Sequence, residues 1–180
     1  MVLLVLTWLS VRYVRRSRGE KLSKTLSAYE EVAVLMHPNP DPDAMSAALA
    51  VGSLADEVDT ETQEYYTGEI RHQENRAFET VLDLDFDHIE SSADIEPDAV
   101  VLVDHNEPRG FSGAESIAPV AVVDHHPGSG TGSEFTDVRT DVGACASIFV
   151  GYFDEMGWEP VSPDEMGTIE DEENVLDVDG

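Results

Sequence analysis

Three clusters in this chain combine carboxylates with imidazoles, and each follows an apolar run: His37-Pro38-Asn39-Pro40-Asp41-Pro42-Asp43, Asp104-His105-Asn106 and Asp124-His125-His126. Oxygen and imidazole donors gathered at the ends of buried strands are how an α/β sheet builds a metal site at its carboxyl edge. In the first cluster Pro38, Pro40 and Pro42 fix φ and hold the backbone out of helix until Asp43. Asp41 and Asp43, two apart on an extended segment, can then present carboxylates to two neighbouring ions, while His37 offers a nitrogen to one of them. Asp104, arriving from an adjacent strand, can bridge the pair. His125 can complete the second ion, which leaves His126 to touch phosphate or shuttle a proton. The expected metal ligands are therefore His37, Asp41, Asp43, Asp104 and His125, and the expected catalytic residues are Asp104 and His126. Mixed oxygen and imidazole ligation suits manganese better than calcium or a closed zinc site, with magnesium as the alternative ion. Two such ions about 4 Å apart can clamp the attacking and leaving oxygens of a phosphoester displacement. Taken singly, the D-x-D among prolines also reads as a turn or helix cap, and the His-His pair as surface. Their occurrence at consecutive strand ends favours the metal reading.

The elements that must carry these residues alternate. Residues 32–36 form an apolar, partly β-branched run that ends in the His37 cluster, and 43–58 place Ala44, Ala47, Ala48, Val51, Leu54 and Ala55 at helical spacing. Tyr65 and Tyr66 fall on a second strand, and 72–82 read as a helix. Strands follow at 99–103, ending in Asp104, and at 119–123, ending in Asp124; a last helix spans 143–156. Continuous apolar strands separated by helices predict an α/β fold, a parallel sheet with helices on both faces.

Charge narrows the setting. The 180 residues hold 38 acids against 10 bases, a formal net charge of −28, and the length suits one domain. Such self-repulsion is best tolerated where salt screens it, which predicts a halophile, an archaeon, as the source. It also argues against extended double-stranded DNA as a partner, because a basic surface to neutralise its phosphates is missing. Bases are unevenly placed: Arg12, Arg15, Arg16, Arg18, Lys21 and Lys24 cluster early, and only Arg71, Arg76, Arg109 and Arg139 follow. Basic residues kept in so acidic a chain are expected to meet anions, so Arg71, Arg76 and Arg109, with His72 and His126, are substrate-binding candidates. An ion pair with a neighbouring acid is the other reading of these arginines, and the preferred one for Arg139, which lies between Asp137 and Asp141. The single cysteine, Cys145, excludes an internal disulfide and reads as a small core residue.

At the amino terminus, MVLLVLTWLSV precedes the basic run. Counted to Val14, a helix there would reach roughly 21 Å, short of the hydrocarbon thickness of about 30 Å. Residues 1–24 are therefore expected to be a shallow membrane anchor or the tail of a truncated transmembrane helix, with the basic flank on anionic lipid at the inner face of the cell membrane. A buried amphipathic helix is the plainer reading. Residues 30–160 would form the cytoplasmic catalytic domain, and 161–180 a flexible acidic tail.

On these motifs the chain resembles the DHH phosphoesterase superfamily over about residues 32–157, in its RecJ-like and oligoribonuclease-like members of haloarchaeal type. Asp124-His125-His126 is the triplet that names the family; His37, Asp41 and Asp43 match its first motif, and Asp104 its second. The resemblance implies a Rossmann-like amino-terminal DHH domain with two manganese ions that hydrolyses phosphoester or phosphoanhydride bonds. It implies small nucleotides or short single-stranded oligonucleotides as substrates, with pyrophosphate also known in the family. A fourth metal-binding aspartate and a carboxy-terminal DHHA1 domain are not recognisable in the sequence. That departure raises a second functional class, a truncated, catalytically impaired module that binds metal or nucleotide or pairs with a complete homologue. A homodimer through the last core helix is a further expectation.

Overall fold

The computed structural model describes residues 16–70 and 72–158. Of the expected amino-terminal segment at 1–24, residues 1–15 lie outside these residues, as do Arg71 and the acidic tail at 161–180. In chain order the elements are α1 (Arg18–Leu26), β1 (Glu31–Met36), α2 (Pro42–Asp56), β2 (Glu61–Tyr66), α3 (Gln73–Val81), β3 (Asp87–His88), β4 (Val100–Val103), β5 (Ala121–Asp124), β6 (Phe135–Val138) and α4 (Cys145–Met156). Short 3-10 turns occupy Ser92–Asp94 and Ala114–Ser116.

All six strands pair in parallel, in the order β3-β2-β1-β4-β5-β6. Because side chains alternate across a strand, β1 sends Val32, Val34 and Met36 to one core and Ala33 and Leu35 to the other. The larger core takes Leu22 and Leu26 from α1, Val51 and Leu54 from α2, and Ile148, Phe149 and Tyr152 from α4. On the opposite face Ile89, Ile95, Phe111 and Ile117, which flank the two 3-10 turns, cover Leu35, Leu102 and Val122. Burial on both faces explains why β1, β4 and β5 are unbroken apolar runs.

Chain order reverses between β1 and β4, which are adjacent yet wind outward in opposite directions. The crevice at such a switch point, outside the carboxyl ends of the strands, is where open α/β sheets bind ligands. His37 leaves the end of β1 there, and Asp104 leaves the end of β4.

Helix α1 is amphipathic, as the plainer reading of the amino-terminal stretch has it, but it begins at Arg18. Ser17 caps it, its hydroxyl accepting from the Glu20 N–H while the Glu20 carboxylate accepts from the Ser17 N–H. Leu22 and Leu26 are fully buried, each worth about 1.5–3 kcal/mol of transfer free energy. The charged residues of the same turns stay outward.

Candidate metal centre

The first motif is shaped by its backbone. Asn39 adopts a left-handed φ of 58°, its N–H donates to the Thr67 carbonyl at 2.8 Å, and its side-chain oxygen accepts from the Glu69 N–H at 2.9 Å. Gly68 lets this happen: its φ is +75°, and a Cβ there would collide with the Asn39 side chain. The buried Asn75 side chain donates to the Pro40 carbonyl at 3.0 Å. Thus braced, Asp41 becomes the N-cap of α2, its Oδ1 accepting from the N–H groups of Asp43 and Ala44 with Pro42 at the first helical position. The turn-and-cap reading and the metal reading of D-x-D hold together, since a carboxylate oxygen has a second lone pair.

Asp104 is the hub. It is 2% exposed and has a left-handed φ of 60°, a costly conformation for a non-glycine residue of the kind that collects at functional sites. His37 Nε2 lies 3.3 Å from its Oδ2, and His125 Nε2 lies 3.2 Å from its Oδ1. His126 Nδ1 approaches the same Oδ1 at 3.6 Å, yet this buried oxygen accepts no hydrogen bond. Asp41 Oδ1 is 3.9 Å from His37 Nε2, and Asp43 Oδ2 is 3.6 Å from His125 Nε2. Two donor groups result, His37 with Asp41 and Asp104, and Asp104 with His125 and His126, each with ligand atoms within 4.8 Å of one another.

These residues fit a divalent ion. His37 Nδ1 contacts the Pro38 carbonyl at 3.0 Å, and His125 Nδ1 the Val142 carbonyl at 3.4 Å. With Nδ1–H donating to a carbonyl, each ring turns an Nε2 lone pair toward a carboxylate oxygen, the arrangement that outer-shell partners impose on metal-ligating histidines. Lone pairs facing lone pairs call for a cation between them. Without a metal, a proton answers that demand: burial works against charging His37, but the Asp104 carboxylate, the Pro38 carbonyl and Asp41 outweigh it and raise its pKa above the ordinary 6.5.

Asp43 has a structural task as well. Its Oδ2 accepts from the Cys145 N–H and its Oδ1 from the Ala146 N–H, both at 2.8 Å, so it caps α4 from 102 residues away in sequence. Neither α4's own N-cap, Ala144, nor its first turn supplies an acid for this.

Sequence reasoning assigned no role to Asp124, which the structure makes the organiser of the triplet. Fully buried, its Oδ1 accepts from the backbone N–H of His125 at 2.7 Å and of His126 at 3.1 Å, and meets His126 Nδ1 at 2.9 Å. Its Oδ2 accepts from the Asn106 side chain at 2.6 Å. The signal was present: a carboxylate at a buried strand end needs donors, and the following residues and Asn106 are the nearest. His105 is buried; its Nδ1 meets the Val103 carbonyl at 2.9 Å, and burial pushes its pKa down to about 4. Cys145 is a core residue whose thiol points to the Val123 carbonyl at 3.4 Å, and burial pushes its pKa up.

A cleft of about 440 Å³ opens over these groups, lined by the five expected ligands with His126, Arg109, Gly143 and Ala144. Of the expected substrate contacts it gathers Arg109 and His126. His72 and Arg76 are exposed at the start of α3 and do not line this cleft. Arg71 lies outside the described residues. Arg139 is an ion-pair residue, its Nε and one terminal nitrogen 3.0 and 2.7 Å from Asp137 Oδ2, which also accepts from Tyr152.

The order and geometry of these motifs agree with a family model: residues 31–169 match that of the DHH family, N-terminal domain. The chain belongs to the DHH family. An uncharacterized protein of Methanocaldococcus jannaschii is 31% identical over 152 residues, covering 84% of this chain and 32% of that protein. A Bacillus cereus relative named "Probable manganese-dependent inorganic pyrophosphatase" is 35% identical over 103 residues, 54% of this chain and 31% of that protein. The chain thus spans about a third of the length of these curated relatives. An exopolyphosphatase-related protein from Bacteroides fragilis shares the fold, with a TM-score of 0.53 and 14% identity over 78% of this chain and 44% of that one. Among the described residues no helix is long and apolar enough to cross a membrane.

Proposed function

We propose that this DHH domain is a divalent-metal-dependent phosphoesterase acting on phosphodiester or phosphomonoester bonds of small nucleotides or short single-stranded oligonucleotides. The observation that carries the reading is Asp104, buried and strained at the switch point, with imidazole nitrogens at 3.3 and 3.2 Å on its two oxygens. His37, Asp41 and Asp104 would hold one ion and Asp43, Asp104 and His125 the other, with Asp104 shared. Manganese is preferred, since mixed oxygen and imidazole ligation suits it and a relative's printed name specifies it. When bound, such ions supply positive charge and a nucleophilic water at neutral pH.

This chain's own residues do the rest. Asp124 fixes the His126 ring through Nδ1, leaving Nε2 to hydrogen-bond a phosphate oxygen or pass a proton to the leaving group. Arg109 brings a guanidinium to a cleft whose other charged side chains are acids and histidines, and a planar fork suits a phosphate. The printed names of two relatives favour a second substrate, pyrophosphate or polyphosphate, with the same residues in the same roles.

The test is phosphate or nucleotide release in molar potassium chloride with added manganese, from a panel of short oligonucleotides, cyclic dinucleotides and pyrophosphate. Turnover that Asp104→Ala abolishes supports the hydrolase and names its substrate. A folded, manganese-binding protein that turns over none of the panel points instead to a module that binds metal or nucleotide or pairs with a complete homologue.

A further inference from the structure

We propose that the basic face of α1 is a docking surface for an anionic lipid bilayer, seated so that the metal cleft points away from the membrane. In a chain of net charge −28, residues 1–24 hold six of the ten bases and a single acid, Glu20. The fold then sorts α1 by face. Leu22 and Leu26 enter the core, while Arg18 and Lys24 are exposed and Arg16 and Lys21 half-exposed. Arg16, Arg18, Lys21 and Lys24 line one groove of about 450 Å³ against the start of β6. Arg18 donates to the Thr136 carbonyl, which holds it at the rim.

Three acids that border these bases hold contacts of their own. Glu20 is in the capping box, Glu134 accepts from the Tyr29 hydroxyl at 2.6 Å, and Glu155 accepts from the Arg18 N–H. Lys21 and Lys24 pair with no acid among the described residues.

The groove's place decides its partner. Glu134, Phe135 and Thr136 begin β6, and α1 is tied by Thr60 to the start of β2, so this face sits at the amino edge of the sheet. The cleft lies at the carboxyl edge, so a phosphate on α1 cannot be the one His126 meets. On the same side Arg16 and Lys24 border a shallower hollow with Val58, Met156 and Trp158. Cations beside a half-buried tryptophan are what an interfacial surface presents to headgroups. In sequence the apolar run MVLLVLTWLSV precedes this basic stretch. In strong salt, where the screening length falls to about 3 Å, only charges in direct contact with headgroups act, so the basic face sets orientation while apolar contact supplies affinity.

The test is co-sedimentation of the full chain with phosphatidylglycerol or phosphatidylcholine vesicles, beside the Lys21→Glu/Lys24→Glu variant. At physiological salt each base at an anionic surface is worth about fivefold in partition, so wild type should prefer phosphatidylglycerol by tenfold or more, and the double reversal, which swings four charges, should lose at least about 25-fold. Circular dichroism and an unchanged manganese-induced rise in melting temperature establish that the variant is folded with its cleft intact. In a Trp8→Phe background, brominated anionic lipid should quench Trp158. Equal partition onto both lipids, or full retention by the double variant, overturns the proposal. So does oligonucleotide binding that the double variant abolishes while its vesicle binding persists, which would assign the face to nucleic acid.

Discussion

At the amino edge of the sheet polar groups find partners, whereas at the carboxyl edge they converge and some are left wanting. Thr60, buried at the amino edge, gives its hydroxyl to the Leu26 and Tyr29 carbonyls at 3.1 Å, and the Ser17–Glu20 box closes the start of α1. At the other edge Asp104 Oδ1, Thr67 Oγ1 and His105 Nε2 are buried without a hydrogen-bond partner. A buried unpaired polar group costs about 1–3 kcal/mol, more for a charge, so the carboxyl edge gives up stability in the protein's metal-free form. That is the expected mark of a site built to be completed by something else.

The strongest way to break this comparison is to neutralise Asp104. Asp104→Asn should cut manganese affinity by more than the 10–100-fold that outer-shell partners are worth, because it removes the shared ligand. It should change the metal-free melting temperature little, since relief from the neighbouring Asp41 carboxylate offsets the lost contact with His37. Thr60→Val should do the reverse, costing about 1 kcal/mol with no change in manganese affinity. Calorimetry with manganese and thermal melts of both variants decide it. A metal-free Asp104→Asn protein that melts well below wild type would make Asp104 a structural residue.

Asp43 sharpens the comparison, because it serves both edges' purposes at once. Its carboxylate is a candidate ligand and also accepts two N–H groups of α4. Asp43→Ala should therefore weaken manganese binding and also cost about 0.5–2 kcal/mol in metal-free urea denaturation, the usual worth of a cap. His125→Ala should weaken binding as much with a smaller loss of stability. If the two variants are equally stable without metal, the cap from Asp43 contributes nothing.

How much of this was legible in the sequence follows from the range of the forces involved. Apolar runs announced β1, β4 and β5 because strands buried on both faces must be apolar throughout, and the residues just after β1 and β4 and at the end of β5 fixed the site's donors. The two-residue β3 and the alternating β6 were not read, since FTDV half-buried at a sheet edge resembles a loop. The bounds of helix α1 were hard to see because only Leu22 and Leu26 mark its buried stripe amid charged residues. Asp43's bond to α4 could not be seen at all: it spans 102 residues, and only the wound sheet brings those ends together. Arg109 in the cleft and Arg76 outside it are likewise separated by topology and not by local pattern.

The smallest expected effect concerns His105, the orphan with no place in the metal groups. Burial lowers its pKa from 6.5 to about 4, so the folded protein takes up this proton later than the unfolded chain does. The sign follows: the contribution to stability is fully present above about pH 6.5 and is lost as pH falls toward 4, to a limit on the order of 2–3 kcal/mol. His105→Phe keeps an apolar ring in the same space and removes the titration. Measured by urea midpoints of metal-free protein at pH 7 and at about pH 4.5, wild type should lose ground to the variant as the solution is acidified. Protonation of the many surface carboxylates relieves repulsion equally in both proteins, so it drops out of the difference. Parallel losses in the two proteins would mean that His105 is reached by water in solution, and that the carboxyl edge is less dry than its buried atoms imply.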